Sequence, residues 1–221
     1  KVSIMKTLTE AYQQFDLTRL IDEQLVGHPQ AINAYVECCE RYVGKYKTAI
    51  IWEGKNGQAE HYTFEQLANF FKAQGIQAGD CIAGLLPRTP ELLITILATW
   101  RIGAIYQPLF TAFEAKSIDH RITTAQTKLI VTNDEQRPKL NTLNVPVIVT
   151  VHQTGLLSEH DFDFWQSLQR YSEQCEPVNR SFDDDFLMMF TSGTTGLAKS
   201  VPVPLKAILA FKGYMTHAVD L

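Results

Sequence analysis

Apolar and polar residues follow two recurring patterns along this chain. Short apolar runs bounded by polar or turn-forming residues are typical of buried strands, because such strands are covered on both faces. Longer segments with apolar residues three and four positions apart are typical of helices that pack along one face. The strands predicted from the first pattern cover residues 48–53, 80–86, 104–109, 128–132, 145–151 and 186–190.

The predicted helices have start and stop signals of their own. Thr63 and Gln66 have the spacing of a capping box, and Gly75 can end the helix that follows them. Thr89 followed by Pro90 is typical of a helix N-terminus. Helices are predicted over residues 64–75, 89–100, 117–126, 164–175 and 205–214.

Strands that alternate with helices of this length predict an α/β fold with a mostly parallel sheet flanked by helices. Residues 1–47 lack the alternation, and we predict that they form a helical N-terminal extension. Residues 48–221 would then form the unit that contains the sheet. Within that unit, residues 201–204 include two prolines and are predicted to be extended.

Composition and charge argue against several classes of function. The net charge of −4 and the absence of a dense Lys/Arg block disfavour nucleic-acid binding. The most apolar stretch, residues 92–100, is too short to span a membrane, and the first thirty residues lack the apolar core of a secretory signal. The four cysteines lack metal-binding spacing, which predicts reduced thiols in a cytoplasmic protein and no metal site.

The segment after the last predicted strand carries the most informative chemistry. It reads Thr-Ser-Gly-Thr-Thr-Gly-Leu-Ala-Lys. Glycines let the backbone approach an anion with positive φ, and successive N–H groups can form an anion-binding nest. Hydroxyl groups donate hydrogen bonds to phosphate oxygens, and a lysine adds a mobile positive charge. The residues predicted to bind a polyphosphate are Thr191, Ser192, Gly193, Thr194, Thr195, Gly196 and Lys199.

Two other nucleotide-binding patterns are missing from the sequence. A Walker A loop needs Gly-Lys-Ser/Thr, whereas Ala198 precedes Lys199 here. No G-x-G-x-x-G fingerprint of a dinucleotide-binding fold is present either. These absences disfavour a P-loop NTPase, a kinase-like phosphotransferase and a Rossmann dehydrogenase. A solvated Ser/Thr/Gly connector without a ligand stays open as an alternative, because loops often have this composition.

Residues 191–199 resemble the signature of the adenylate-forming superfamily, (S/T)-S-G-(S/T)-T-G-x-x-K. The eighth position is usually proline and is Ala198 here, and Ser200 replaces the glycine that usually follows the lysine. Two upstream segments resemble the same family in the expected order, at residues 62–67 (YTFEQL) and 100–109 (WRIGAIYQPL). Among its members, the chain is most similar to bacterial acetyl-CoA-synthetase-like enzymes.

This resemblance implies the N-terminal part of the large domain of the adenylate-forming fold, and an AMP-forming acyl-CoA synthetase, an acid–thiol ligase. Enzymes of this family join a carboxylate to the α-phosphate of ATP, release pyrophosphate, and transfer the acyl group to CoA. The implied cofactors are ATP, Mg²⁺ and CoA, and the implied substrate is a short- or medium-chain carboxylic acid. Lys199 is the implied catalytic residue, because its charge would neutralise the departing pyrophosphate.

The resemblance also implies a site for CoA at Phe110, Thr111 and Arg137, with Lys139 nearby. A phenylalanine ring could pack on adenine, and an arginine could bind a phosphate through two hydrogen bonds. The alternatives are core packing for Phe110 and a solvated loop around Arg137. No histidine is assigned a catalytic role.

Several motifs that the family has further along its sequence are missing from residues 200–221. These are the acyl-pocket segment, the Y-G-x-T-E motif, the ribose-binding aspartate and the C-terminal catalytic lysine. We therefore expect an incomplete adenylation domain that is inactive alone. The alternative is a non-catalytic nucleotide-binding or interaction module derived from such an enzyme.

Overall fold

The computed structural model describes residues 15–42, 65–151, 161–192 and 196–216. Within these ranges, seven strands form one sheet in the order β5-β4-β3-β1-β2-β6-β7. All neighbouring strands are parallel except β6 and β7, which are antiparallel. The strands are β1 (Cys81–Leu85), β2 (Ile105–Pro108), β3 (Leu129–Asn133), β4 (Val147–Val151), β5 (Phe162–Asp163), β6 (Asp185–Thr191) and β7 (Lys199–Pro204).

Helices precede, connect and follow these strands, which confirms the predicted α/β class. Thr89 adopts an extended conformation and Pro90 takes the first helical position, as the Thr-Pro pair predicted. The helices are α1 (Leu17–Gln24), α2 (Ala34–Cys38), α3 (Glu65–Ala73), α4 (Pro90–Arg101), α5 (Ala115–Thr124), α6 (Phe164–Leu168) and α7 (Ala207–Tyr214), with 3₁₀ turns at Glu40–Tyr42 and Arg137–Leu140. None of the helices in the described ranges has the length and apolar composition needed to cross a bilayer.

The two faces of the central strands are buried under different helices. Ile82 of β1 belongs to an apolar cluster with side chains of α3, α4 and α6. The next residue, Ala83, belongs to a second cluster with Ile118 and Ile122 of α5. Because successive strand residues point to opposite faces, burial on both sides explains why these strands appear as continuous apolar runs. The position of α5 over one face determines where the functional site lies.

The predicted helix 164–175 is shorter in the structure, since α6 ends at Leu168. The following residues are irregular, yet Cys175 is buried in the apolar cluster under α3. The amide of Asn69 on α3 donates hydrogen bonds of 2.9 Å to the carbonyls of Ser172 and Gln174. Tertiary contacts therefore satisfy backbone groups that the sequence pattern assigned to a helix.

The end of the sheet that contains β6 and β7 also differs from the sequence prediction. A fully buried strand was predicted at residues 186–190, but only Phe186 is buried and Met189 is 39% exposed. Residues 201–204, predicted merely to be extended, belong to β7 and pair with β6. A strand near the sheet edge has fewer covering elements, which explains the exposure of an apolar run.

Several predictions lie outside the described residues, namely the strand at 48–53, the cap at Thr63 and the domain boundary after residue 47. The boundary therefore stays a prediction. The four cysteines are free thiols.

A buried carboxylate joins the N-terminal helices to the end of the chain. Glu37 of α2 has no solvent exposure. One of its oxygens accepts hydrogen bonds from the amides of Val26 and Gly27 at 2.8 and 2.7 Å. The other accepts from Arg41 at 2.9 Å and from Lys212 of α7 at 2.8 Å. Burial alone raises the pKa of the Glu37 carboxyl, but the bonds from Gly27 and Lys212 outweigh burial and lower that pKa below its ordinary value.

We predict that Glu37→Gln lowers the free energy of unfolding by about 3 kcal/mol, because it leaves the Arg41 and Lys212 cations without their shared anion. Urea denaturation measures this change. The matched control is Glu23→Gln, which breaks the exposed pair with Arg19 and should change stability little. Equal effects of the two substitutions would contradict the role of Glu37.

The stabilisation by Glu37 should also depend on pH in a defined direction. Because its pKa is lowered by folding, the stabilisation is complete above the pKa of an unfolded glutamate. It should be lost as the pH falls through the lowered pKa of the folded state. Urea denaturation at several pH values measures the difference in the free energy of unfolding between wild type and Glu37→Gln. The pH-dependent part of this difference should therefore vanish in acid.

Candidate functional site

The predicted phosphate-binding segment connects two antiparallel strands. Thr191 at the end of β6 is paired in register with Lys199 at the start of β7, so the two strands form a hairpin. The described residues at its tip are Ser192 on the outgoing side and Gly196, Leu197 and Ala198 on the returning side. β6 runs parallel to β2, which places this tip beyond the carboxyl ends of the parallel strands. Ligands of open α/β sheets bind at that edge.

The helix that follows the segment does not point at it. β7 leads away from the tip, and the amide of Leu205 bonds to the carbonyl of Asp184 at the opposite end of the hairpin. The N-terminus of α7 therefore lies away from the site, unlike the helix N-terminus of a Walker A loop. If the tip binds phosphate, as the sequence predicts, the donors available there are its amides, hydroxyls and lysine.

The described residues of the tip are accessible to a ligand. Thr191, Ser192, Gly196 and Lys199 are exposed. Gly196 has a φ of +125°, as predicted from the need for a backbone conformation that side chains disfavour. Lys199 forms no ion pair with any residue in the described ranges, so its charge is available. The other predicted residues, Gly193, Thr194 and Thr195, lie outside the described residues.

Helix α5 holds the returning side of the tip. Nε2 of His120 lies 2.7 Å from the carbonyl oxygen of Ala198, and a carbonyl can only accept, so Nε2 carries the donated proton. The His120 ring also contacts Phe190 of β6 edge-on, with centroids 6.5 Å apart. His120 thereby fixes the residue directly before Lys199. Sequence reasoning missed this contact, because it joins residues that are far apart in the chain.

An open groove of about 390 Å³ separates α5 from the hairpin tip. The first turn of α5 lines part of the groove, and the N–H of Ser117 in this turn donates to the carbonyl of Glu114 at 2.9 Å. The side chains of α5 supply most of the charge. The residues that line the groove are Glu114, Lys116, Ser117, His120 and Arg121 on one side and Ser192, Gly196, Leu197 and Ala198 on the other.

Of the residues predicted to bind CoA, Phe110 and Thr111 lie close to Lys139, whereas Arg137 is engaged elsewhere. Phe110 is 66% exposed, so the alternative of core packing is wrong, and its ring contacts Phe113 edge-on at 5.3 Å. The carbonyl of Thr111 accepts a hydrogen bond of 2.6 Å from Nζ of Lys139. The structure therefore brings Phe110, Thr111 and Lys139 together in the connection between β2 and α5 and the turn after β3.

Arg137 is engaged in a different contact. Its Nε and one terminal nitrogen donate to the two carboxylate oxygens of Asp161 at 2.5 and 2.8 Å. Another terminal nitrogen donates to Asn141 at 2.8 Å. The Asp161 side chain is 1% exposed and also accepts from Thr150. The solvated loop considered for Arg137 is therefore wrong, and a CoA phosphate would have to compete with a buried carboxylate.

Comparison with known proteins identifies the family of this chain. The family model described as AMP-binding enzyme matches residues 45–220. The acetyl-coenzyme A synthetase of Psychrobacter cryohalolentis is 30% identical over 219 residues, which cover 86% of this chain and 32% of that protein. The acetyl-coenzyme A synthetase of Pseudoalteromonas translucida is 32% identical, over 84% of this chain and 33% of that protein. The chain thus spans about a third of the length of these relatives.

Solved structures show the same architecture. The Brucella canis acyl-CoA synthetase is 44% identical, with a TM-score of 0.89 over 98% of this chain and 41% of that protein. An anthranilate CoA ligase in complex with anthranoyl-AMP shares the fold, with a TM-score of 0.71 and 20% identity over 81% of this chain and 36% of that protein. Because the family model matches residues 45–220, we conclude that the chain belongs to the AMP-binding enzyme family.

Proposed function

We propose that this chain contributes the ATP phosphate-binding part of an AMP-forming acyl-CoA synthetase. The observation that carries the proposal is the exposure of Thr191, Ser192, Gly196 and Lys199 at the hairpin tip, on the carboxyl edge of the sheet. Relatives named acetyl-coenzyme A synthetase and acyl-CoA synthetase support the same activity. Because the chain spans about a third of the curated relatives, the complete reaction is proposed for the protein at their full length.

The proposed reaction has two steps. A carboxylate oxygen attacks the α-phosphorus of ATP, the bond to the β-phosphate breaks, and its electron pair leaves with pyrophosphate. The thiolate of CoA then attacks the acyl carbon of the adenylate and AMP leaves. The first step needs positioning and neutralisation of charge more than covalent catalysis.

The hairpin tip supplies what the first step needs. Its hydroxyls and amides hold the β- and γ-phosphates, and the ammonium of Lys199 neutralises charge that develops on the leaving pyrophosphate. Mg²⁺, when bound, neutralises phosphate oxygens in the same region. No group of His, Cys, Asp or Glu side chains in the part of the chain that the structure describes is arranged to hold a metal ion.

The first test is ATP–pyrophosphate exchange in the full-length protein, with acetate, propionate, butyrate and longer acids as substrates. We expect exchange with a short- or medium-chain acid, and a loss of roughly 100-fold in the rate on Lys199→Met. The matched control is Lys206→Met at the other end of the hairpin, where the lysine pairs with Asp183. Absence of exchange with every carboxylate would reject the proposed function.

The second test concerns the contact from His120 to the carbonyl of Ala198. His120→Ala should raise the KM for ATP by roughly five- to tenfold, because the tip loses a hydrogen bond that fixes its returning side. His120→Gln keeps an N–H donor and should have a smaller effect. The control is Asp119→Asn on the exposed side of the same helix, which should leave the KM for ATP unchanged. An equal rise in the KM for ATP in all three variants would argue against a specific contact of His120.

The third test separates a CoA contact of Arg137 from its structural role. Arg137→Met should lower the free energy of unfolding by about 3 kcal/mol, because it leaves Asp161 buried and unpaired. Asp161→Asn breaks the same ion pair but keeps the guanidinium. If Arg137 contacts CoA as we propose, only Arg137→Met should raise the KM for CoA, by roughly tenfold, with exchange intact. Equal KM values for CoA in both variants would reject the contact.

A further inference from the structure

Arg121 of α5 lies across the groove from the hairpin tip and is held there by its surroundings. Its guanidinium carbon lies 4.0 Å from the ring centroid of Phe113 and 5.7 Å from that of Phe190. One terminal nitrogen donates to the carbonyl of Ser117 at 2.8 Å and also contacts the Ser117 hydroxyl. These contacts fix the direction of the planar group toward the groove that it lines.

The charge of Arg121 has no counterion in the part of the chain that the structure describes. Arg121 forms no ion pair with a carboxylate in residues 15–42, 65–151, 161–192 and 196–216. Glu114 lines the same groove and is not paired with Arg121 either. Its Nε is buried without a hydrogen-bond acceptor in those ranges. A partly dehydrated cation without an anion is unfavourable, so an anionic ligand in the groove would offset a cost that the protein otherwise bears.

Other features of the groove also favour an anion. Lys116 adds a second positive charge on the same wall. The first turn of α5 begins there after its N-cap residue, Glu114, whose side chain makes no capping hydrogen bond. Ser192 and Gly196 of the hairpin tip form the opposite wall. The groove therefore has donors on two sides, with a separation set by α5 and the hairpin.

We propose that Arg121 binds the polyphosphate of ATP, and then the pyrophosphate product, from the side of the groove opposite the hairpin tip. This inference rests on the proposed function. When the carboxylate oxygen bonds to the α-phosphorus, the electron pair of the broken bond passes to the β-phosphate oxygen. The guanidinium donates hydrogen bonds to that leaving group, which strengthen as its negative charge grows. Lys199 and Arg121 thus bind the same diphosphate from two sides.

CoA also contains a diphosphate and is the other source of this chemistry. The lining of the groove favours ATP over CoA, because Ser192 and Gly196 belong to the segment proposed to hold the ATP phosphates. The proposed CoA contacts at Phe110 and Thr111 lie in the connection before α5. The test therefore compares ATP, inorganic pyrophosphate and CoA.

The experiment uses the full-length protein and three variants, Arg121→Gln, Arg121→Lys and the control Arg88→Gln at an exposed arginine. Calorimetry measures the binding of inorganic pyrophosphate and of AMP, and steady-state kinetics measure the KM for ATP and for CoA. Arg121→Gln should weaken pyrophosphate binding by roughly 10- to 100-fold and raise the KM for ATP, with AMP binding and the KM for CoA unchanged. The pyrophosphate affinity of Arg121→Lys should lie between those of the wild type and Arg121→Gln. Lysine keeps the positive charge but lacks the planar guanidinium that donates parallel hydrogen bonds.

Three results would overturn the inference: no binding of pyrophosphate to the wild type, wild-type pyrophosphate binding in Arg121→Gln, or a rise in the KM for CoA in place of that for ATP. A purely structural role would weaken AMP and pyrophosphate binding together and lower the melting temperature, which also overturns it. The proposed function is judged separately, by ATP–pyrophosphate exchange in the wild type. Exchange with unchanged pyrophosphate binding in Arg121→Gln would leave that function standing while this inference fails.

Discussion

The antiparallel pairing of β6 with β7 is the constraint on which the site depends. A parallel partner would need a long crossover, whereas an antiparallel partner can follow after a short connection. The pairing of Thr191 with Lys199 therefore places the two ends of the connecting segment side by side. Lys199 therefore lies beside the end of β6, where the hydroxyl-rich segment begins. The strand pairing thus brings charge and hydrogen-bond donors to one place, although the helix that follows the segment, α7, begins at the opposite end of the hairpin.

Helix α5 connects this site to the core of the protein. Ile118 and Ile122 are one helical turn apart and are buried against the sheet. Their burial sets the rotation of the helix, and the neighbouring residues His120 and Arg121 consequently point toward the hairpin and its groove. Packing energy in the core thus determines the direction of polar groups at the site. A change in the core contacts of α5 would move both groups together.

The base of the hairpin is held by a separate set of contacts. The amides of Leu205 and Lys206 bond to the carbonyls of Asp184 and Phe182 at 2.9 Å, which joins the end of β7 to the turn before β6. Helix α7 then packs on α1, and its Lys212 reaches the buried carboxylate of Glu37. The N-terminal helices therefore stabilise the element that carries the site, although they lie away from the tip.

The α/β class and most of the alternation of strands and helices could be predicted from the sequence, because each depends on residues that are close together in the chain. The phosphate-binding role of residues 191–199 stays a prediction. The family resemblance extended that prediction to an activity and to cofactors. Tertiary structure decided the pairing of β6 with β7, the contact of His120 with Ala198 and the ion pair of Arg137 with Asp161. It also decided the early end of α6. These features depend on which distant segments meet and on the direction of each side chain, and both are set by packing around the sheet.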